Sequence, residues 1–276
     1  MSAEKSESLV LNSVPFSNTS LIVTLYTREF GKFTALAKGA RREKNPFDNG
    51  LDIMARLTTI HYPRKEGLQL LTQAGLLRWF RVDRNNLAAL YAGYYVVELL
   101  DDFTTEFDPC PELFDLTDQT LADLRSGAPV WRCLTRFQWN LLRISGVQPR
   151  FDRCVLCGQP RPTGPVQTVD ILEGGLVCRD CLNQGNRTDG SPRVRSARQT
   201  ARARYGPGER VDSVVSVSSP VLELVKHFMD PKHSLWKKVK PTDDNRRELR
   251  AFTDLYIAHT LGWKPKMQQF SGLFLQ

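Results

Sequence analysis

The hydrophobic pattern changes character near residue 84. Before that point, apolar positions come in short runs broken by turn formers. Leu9–Val14 is one run, closed by Pro15 and Asn18, and Leu21–Tyr26 is a second, rich in β-branched residues. Lys32–Ala37 alternates, and Leu51–Tyr62 and Leu68–Leu77 supply two more. Short runs bounded by Gly, Pro and Asn read as strands. In Arg28-Glu29-Phe30-Gly31 the glycine is free to take the positive φ of a tight turn. Five strands with no early helix suit a small β-barrel. The OB-fold leads, because that barrel presents an open face and loops to oligonucleotides. An SH3-like barrel is the alternative that periodicity leaves open.

Beyond Arg84 the spacing becomes helical. Leu87, Leu90, Tyr94, Val97 and Leu100 recur at three- and four-residue steps. A second helix fits Leu113–Leu124 after Pro109 and Pro111. A third runs from about Pro129 to Ser145, with Gly146 as C-terminal cap and Pro149 as stop. Val221–Met229 and Asp243–Leu261 are the closing helices. The expected class is α+β: an N-terminal OB-fold β-barrel (1–82), then a helical domain (83–149). A four-cysteine zinc-finger lobe is inserted at 150–185. An Arg-rich linker (186–219) leads to C-terminal helices (220–276) that complete the helical domain.

Composition narrows the partners. The 276 residues are 41% hydrophobic, enough for real cores, and carry a net charge of +8. Such a balance favours polyanions, either nucleic acid or an anionic membrane surface. No apolar stretch reaches the roughly 18 residues of a membrane span. Met1–Ser8, with Glu4, Lys5 and Glu7, lacks the apolar core of a signal peptide. The expectation is a cytoplasmic protein, in a reducing location where the six cysteines are thiols or metal ligands.

Four of those cysteines have metal-ligand spacing. Cys154-Val-Leu-Cys157 is followed twenty residues later by Cys178-Arg-Asp-Cys181. Two intervening residues let both thiolates of a knuckle reach one ion, and two knuckles complete a tetrahedron. Four thiolates leave no open position for water, so the expected role is structural zinc. A mononuclear iron site has the same ligands. Cys110 and Cys133 lack partners at this spacing and read as core residues of the helical domain.

Two basic clusters are candidate phosphate contacts. Lys38, Arg41, Arg42 and Lys44, with Lys32 on the strand before them, could line a groove beside the barrel. A solvated surface loop is the plainer reading of the same charges. Arg195, Arg198 and Arg202 would share one face if their segment became helical. Phe33, Phe47 and Tyr62 lie near the first cluster; barrel core is the commoner fate of such aromatics, and base stacking the sharper one. Between Glu98 and Asp123 every charge is negative. That stretch is a solvated helix face, a protein-docking surface or an intramolecular partner of a basic segment. The four histidines are scattered, and no phosphate-loop, dinucleotide or nucleophile-elbow motif occurs. An enzyme is disfavoured.

Particular strings resemble the RecO family of recombination mediators. Thr27-Arg-Glu-Phe-Gly31-Lys-Phe and Ala37-Lys-Gly-Ala-Arg-Arg42 are similar to that family's barrel signature. Arg136-Phe-Gln-Trp-Asn-Leu-Leu-Arg143-Ile-Ser-Gly146-Val-Gln-Pro149, running into Asp152-Arg-Cys154-Val-Leu-Cys157-Gly158, resembles its helix and first knuckle. Gly174-Gly175-Leu-Val-Cys178 resembles the second, and Leu249 through Gly262 the last helix. The resemblance spans nearly the whole chain. Asn186–Pro207 is longer and richer in arginine than the family pattern, and the ending Trp263-Lys264-Pro265-Lys266-Met267 departs from it. The resemblance implies binding of single- and double-stranded DNA, annealing of complementary strands and partnership with RecR. It also implies contact with the C-terminal tail of single-strand-binding protein and, indirectly, help in loading RecA. An RNA-binding or translation-associated protein built from the same barrel and zinc ribbon is the competing class. A zinc-dependent nucleic-acid enzyme is the third, opposed by the closed ligand set.

Overall fold

A computed structural model of the chain describes residues 2–48, 50–64, 66–83, 85–185, 195–196, 213–230 and 234–275. These divide into two units, 1–133 and 134–275, each described by itself below. The first therefore includes two helices that the sequence pattern groups with the helical domain.

Five strands form the barrel of the first unit: β1 (Glu4–Pro15), β2 (Leu21–Thr27), β3 (Gly31–Ala37), β4 (Arg56–Tyr62) and β5 (Gln69–Arg78). Their alternation places one side inward; along β3 every second residue from Gly31 to Ala37 is buried. β1 is long enough to serve two neighbours. Glu4–Leu9 pairs with β4, and Ser8–Pro15 pairs with β2 across an irregularity between Val10 and Asn12. Such an irregularity bends a strand, as a closing barrel requires. The ring runs β1-β2-β3-β5-β4 and returns to β1. Its one parallel seam joins Ala35–Ala37 to Gln69–Leu71. This is the OB-fold, and the SH3-like alternative is excluded by that order. Val10, Val23, Leu25, Phe33, Phe47, Leu57 and Leu71 fill the interior.

Helices α1 (Leu87–Phe103) and α2 (Pro111–Arg125) belong to the same unit. Asn86 caps α1 by accepting the Ala89 N–H, and Pro111 opens α2 with its fixed φ. The acidic stretch from Glu98 to Asp123 finds its partners here. Lys32 meets Asp101 at 2.9 Å, Arg28 pairs with Asp115, and Arg56 and Arg78 both pair with Asp118. Of the three readings of that stretch, the intramolecular one holds for these three aspartates, and their partners are barrel residues. Gly31 is required where the chain returns past the barrel. Its φ is +71°, and a Cβ there would lie 2.5 Å from the Asp108 carbonyl carbon.

In the second unit, Leu134–Ile144 of α3 (Val130–Ile144) packs on α6 (Asp243–Leu261). Trp139 is fully buried, donates its indole N–H to Thr253 Oγ1 at 3.0 Å, and lies against Phe252 and Tyr256. Asn140 donates to the Phe228 carbonyl at the end of α5 (Ser219–Met229). A four-stranded sheet comprises β6 (Val166–Asp170), β7 (Gly175–Leu176), β8 (Arg195–Ser196) and β9 (Val214–Ser218), in the order β7-β6-β9-β8. β9 corrects the reading of 186–219 as linker throughout. Val214 to Ser218 pair antiparallel with Asp170 to Val166. Among the described residues no helix is long and apolar enough to cross a membrane.

Candidate metal centre and nucleic-acid interface

The two cysteine pairs approach because the backbone between them is tightly crossed. Cys154 donates its N–H to the Gln159 carbonyl at 2.8 Å, and Gly158 donates back to the Cys154 carbonyl at 3.0 Å, closing the first knuckle. Val155 donates to the Leu176 carbonyl at 2.8 Å, which fastens that knuckle to β7. Gly175 permits the approach, since a Cβ there would meet the Arg150 carbonyl oxygen and Val155 Cγ1, both at 2.6 Å. Cys178 lies two residues beyond the end of β7, and Cys181 in the first turn of α4 (Arg179–Gly185).

All four Sγ atoms lie within 4.8 Å of one another. The Cys157–Cys178 separation is 3.7 Å. A tetrahedral ion with metal–sulfur bonds of about 2.3 Å needs sulfur pairs about 3.8 Å apart, so the donors fit such an ion. A disulfide at about 2.05 Å does not fit that separation. Burial pushes the Cys154 thiol up, but the N–H groups of Cys178, Cys157 and Leu156 outweigh it and bring it down to about 6. Hydrogen bonding to Cys178 and Cys157 pushes Cys181 in the opposite direction, upward. With all four deprotonated, the cluster would need a cation to offset the repulsion, and its geometry could hold one.

The second candidate surface is on the barrel. Lys38, Arg41, Arg42 and Lys44 follow β3 and are all exposed. None forms an ion pair among the described residues. Their loop is fastened to the β1–β2 turn. Arg41 donates its N–H to Thr19 O at 3.0 Å and its guanidinium to Ser17 O at 3.1 Å, and the Gly39 N–H reaches Ser20 Oγ at 3.5 Å. That turn also carries Phe16, 59% exposed, whose N–H is held by Ser20 O at 3.0 Å. The loop that carries the four exposed cations is thus fastened, through Gly39 and Arg41, to the turn that carries an exposed aromatic.

The comparisons with known proteins agree with this architecture. The family model "Recombination protein O N terminal" matches residues 1–80, the barrel, and "Recombination protein O C terminal" matches residues 84–192. Proteins called DNA repair protein RecO are similar over much of their length. The one from Myxococcus xanthus is 35% identical over 63% of this chain and 71% of its own. The chain belongs to the RecO family.

The RecO protein of Rhodopirellula baltica is 39% identical over 63% of this chain and 65% of its own length. That of Syntrophus aciditrophicus is 28% identical over 94% and 91%. RecO membership carries a role in DNA repair and recombination.

The chain distributes its sequence-expected site residues unevenly. The four cysteines come together. Lys32 is drawn away from the exposed cluster, its ammonium held by both the Asp101 carboxylate and carbonyl. Arg195 lies in β8, whose backbone pairs with Val215. Arg198 and Arg202 lie outside the described residues. Phe33 and Phe47 are core, at 0% and 1% exposure, while Tyr62 is partly open. Cys133 is buried as expected, but Cys110 is half-buried at the N-cap of α2. Phe16 is missed by the sequence pattern. Its only signal is a large apolar residue placed directly after Pro15.

Proposed function

We propose that this RecO-family protein is a recombination mediator that works by binding, without chemistry of its own. It holds single- and double-stranded DNA on the barrel face of Lys38, Arg41, Arg42 and Lys44, and brings complementary strands together. Phosphate repulsion opposes pairing. A cationic surface neutralises it and raises the local concentration of the second strand. The observation that carries this reading is the set of four exposed cations with no carboxylate partner among the described residues. Lys32, Arg28, Arg56 and Arg78, by contrast, are matched to aspartates.

The four-cysteine site is zinc in a structural role, since thiolates occupy every tetrahedral position. No other group of three or more His, Cys, Asp or Glu side chains among the described residues is placed to hold a metal. The family resemblance adds RecR, the tail of single-strand-binding protein and RecA loading, in the cytoplasm at the nucleoid.

The test is annealing of complementary strands, bare and coated with single-strand-binding protein, without ATP. Wild type should accelerate both, and the K38E/R41E/R42E triple variant should lose most of the effect. An unchanged rate in that variant would exclude the barrel face. Competition between DNA and RNA of matched sequence separates this reading from an RNA-binding role.

A further inference from the structure

We propose that Phe16 stacks on an unpaired base of a bound strand, so that the barrel face distinguishes single-stranded from paired DNA. The proposal rests on the reading of that face as a DNA site.

Three observations converge on Phe16. Phe16 is 59% exposed, against 38% for Tyr62 on β4 and at most 1% for Tyr26, Phe33 and Phe47. It makes no aromatic or cation-π ring contact among the described residues. Its position is nonetheless held: Phe16 donates to Ser20 O, while Ser17 Oγ accepts from the N–H groups of Thr19 and Ser20. Arg41 then bonds to Ser17 O, one residue from the ring. An exposed aromatic on an anchored turn that also binds a guanidinium offers the two elements that single-strand sites combine, because every base presents a π-face and every nucleotide a phosphate.

Pairing changes what the strand offers. In a duplex each base face is covered by its neighbours, and only phosphates and groove edges remain accessible. The cations attract both forms, whereas the aromatic engages one alone. A strand held by cations and ring before annealing is held by cations alone afterwards. Completing the duplex therefore removes the stacking part of the grip on that strand.

The experiment uses the full chain, F16A and F16W with three labelled oligonucleotides of equal length at fixed salt. They are a single strand, the matching duplex and a strand with the same phosphates but abasic sugars. F16A should weaken single-strand binding roughly five- to a hundredfold and leave the duplex and abasic probes unchanged. F16W should restore the single-strand affinity. Equal loss on all three probes would mean that Phe16 only supports the turn, and no loss on any would mean that it touches no base. Either result overturns the proposal. K38E/R41E/R42E separates this from the underlying reading. If the triple variant loses all three probes while F16A loses none, only the stacking role fails. If the triple variant also binds as wild type, the DNA face itself is wrong.

Discussion

Asp118 on α2 grips Arg56 on β4, Nη1 to Oδ2 at 2.5 Å, with the Arg56 side chain 25% exposed and that of Asp118 15%. The same carboxylate takes Arg78 through its other oxygen, and Arg56 also reaches Glu7 at 2.6 Å. One aspartate thus answers two guanidiniums from neighbouring antiparallel strands. Replacing Asp118 with Asn keeps the shape and removes the charge, leaving both cations short of a partner. The expected cost is about 1–3 kcal/mol, between the values for exposed and buried pairs. Urea unfolding of D118N checks it. A change under a few tenths of a kcal/mol would mark the cluster as surface decoration.

His61 provides a pH dependence. Its ring is buried between Phe30 and Phe33, with centroids at 5.3 and 4.4 Å. Burial lowers its pKa, and Glu4 at 3.3 Å opposes this only in part. The unfolded chain takes up the proton near pH 6.5, while the folded chain resists until lower pH. The unfolded state therefore binds more protons in that window, and stability falls as pH drops through about 6.5. The urea midpoint should decline from about pH 7 to about pH 5, and H61Q should flatten the decline. A parallel decline in H61Q would place the titration elsewhere.

The metal site gives a local prediction. Purified protein should carry one zinc per chain, and C154S or C178S should lose it. Hydrogen exchange should then accelerate at Val155 and Leu176, which link the knuckle to β7, because metal binding contributes folding free energy there. Full metal in both variants would dismiss the four-ligand assignment.

Salt reports on the barrel face. Four cations engaging four phosphates of a single strand give a slope of about −3 for log K against log salt. R42A should flatten it by about 0.7. An unchanged slope would show that Arg42 contacts no phosphate.

The barrel is legible in the sequence because its alternating runs coincide with the observed strands: Leu21–Tyr26 for β2, Lys32–Ala37 within β3. The metal ligands are legible because C-x2-C spacing states its own geometry. β9 is hidden for a different reason. Val214–Ser218 is five residues beside an arginine-rich segment, and it becomes a strand only by pairing with Val166–Asp170, distant in sequence. Phe16 is hidden because Pro15 and Asn18 mark a turn, and a turn does not reveal which of its side chains the register leaves open. The pairing of Asp101, Asp115 and Asp118 with barrel cations likewise depends on tertiary approach, which charge patterning alone does not contain.

The parallel seam of three residue pairs between β3 and β5 has a consequence for the protein's life at high concentration. Closed, the ring offers no free strand edge to another copy. The seam is also its shortest ladder, against six or seven pairs in each of the other four. If the barrel opens there first, two raw edges appear together, and self-association under stress would begin at Ala35–Ala37 and Gln69–Leu71.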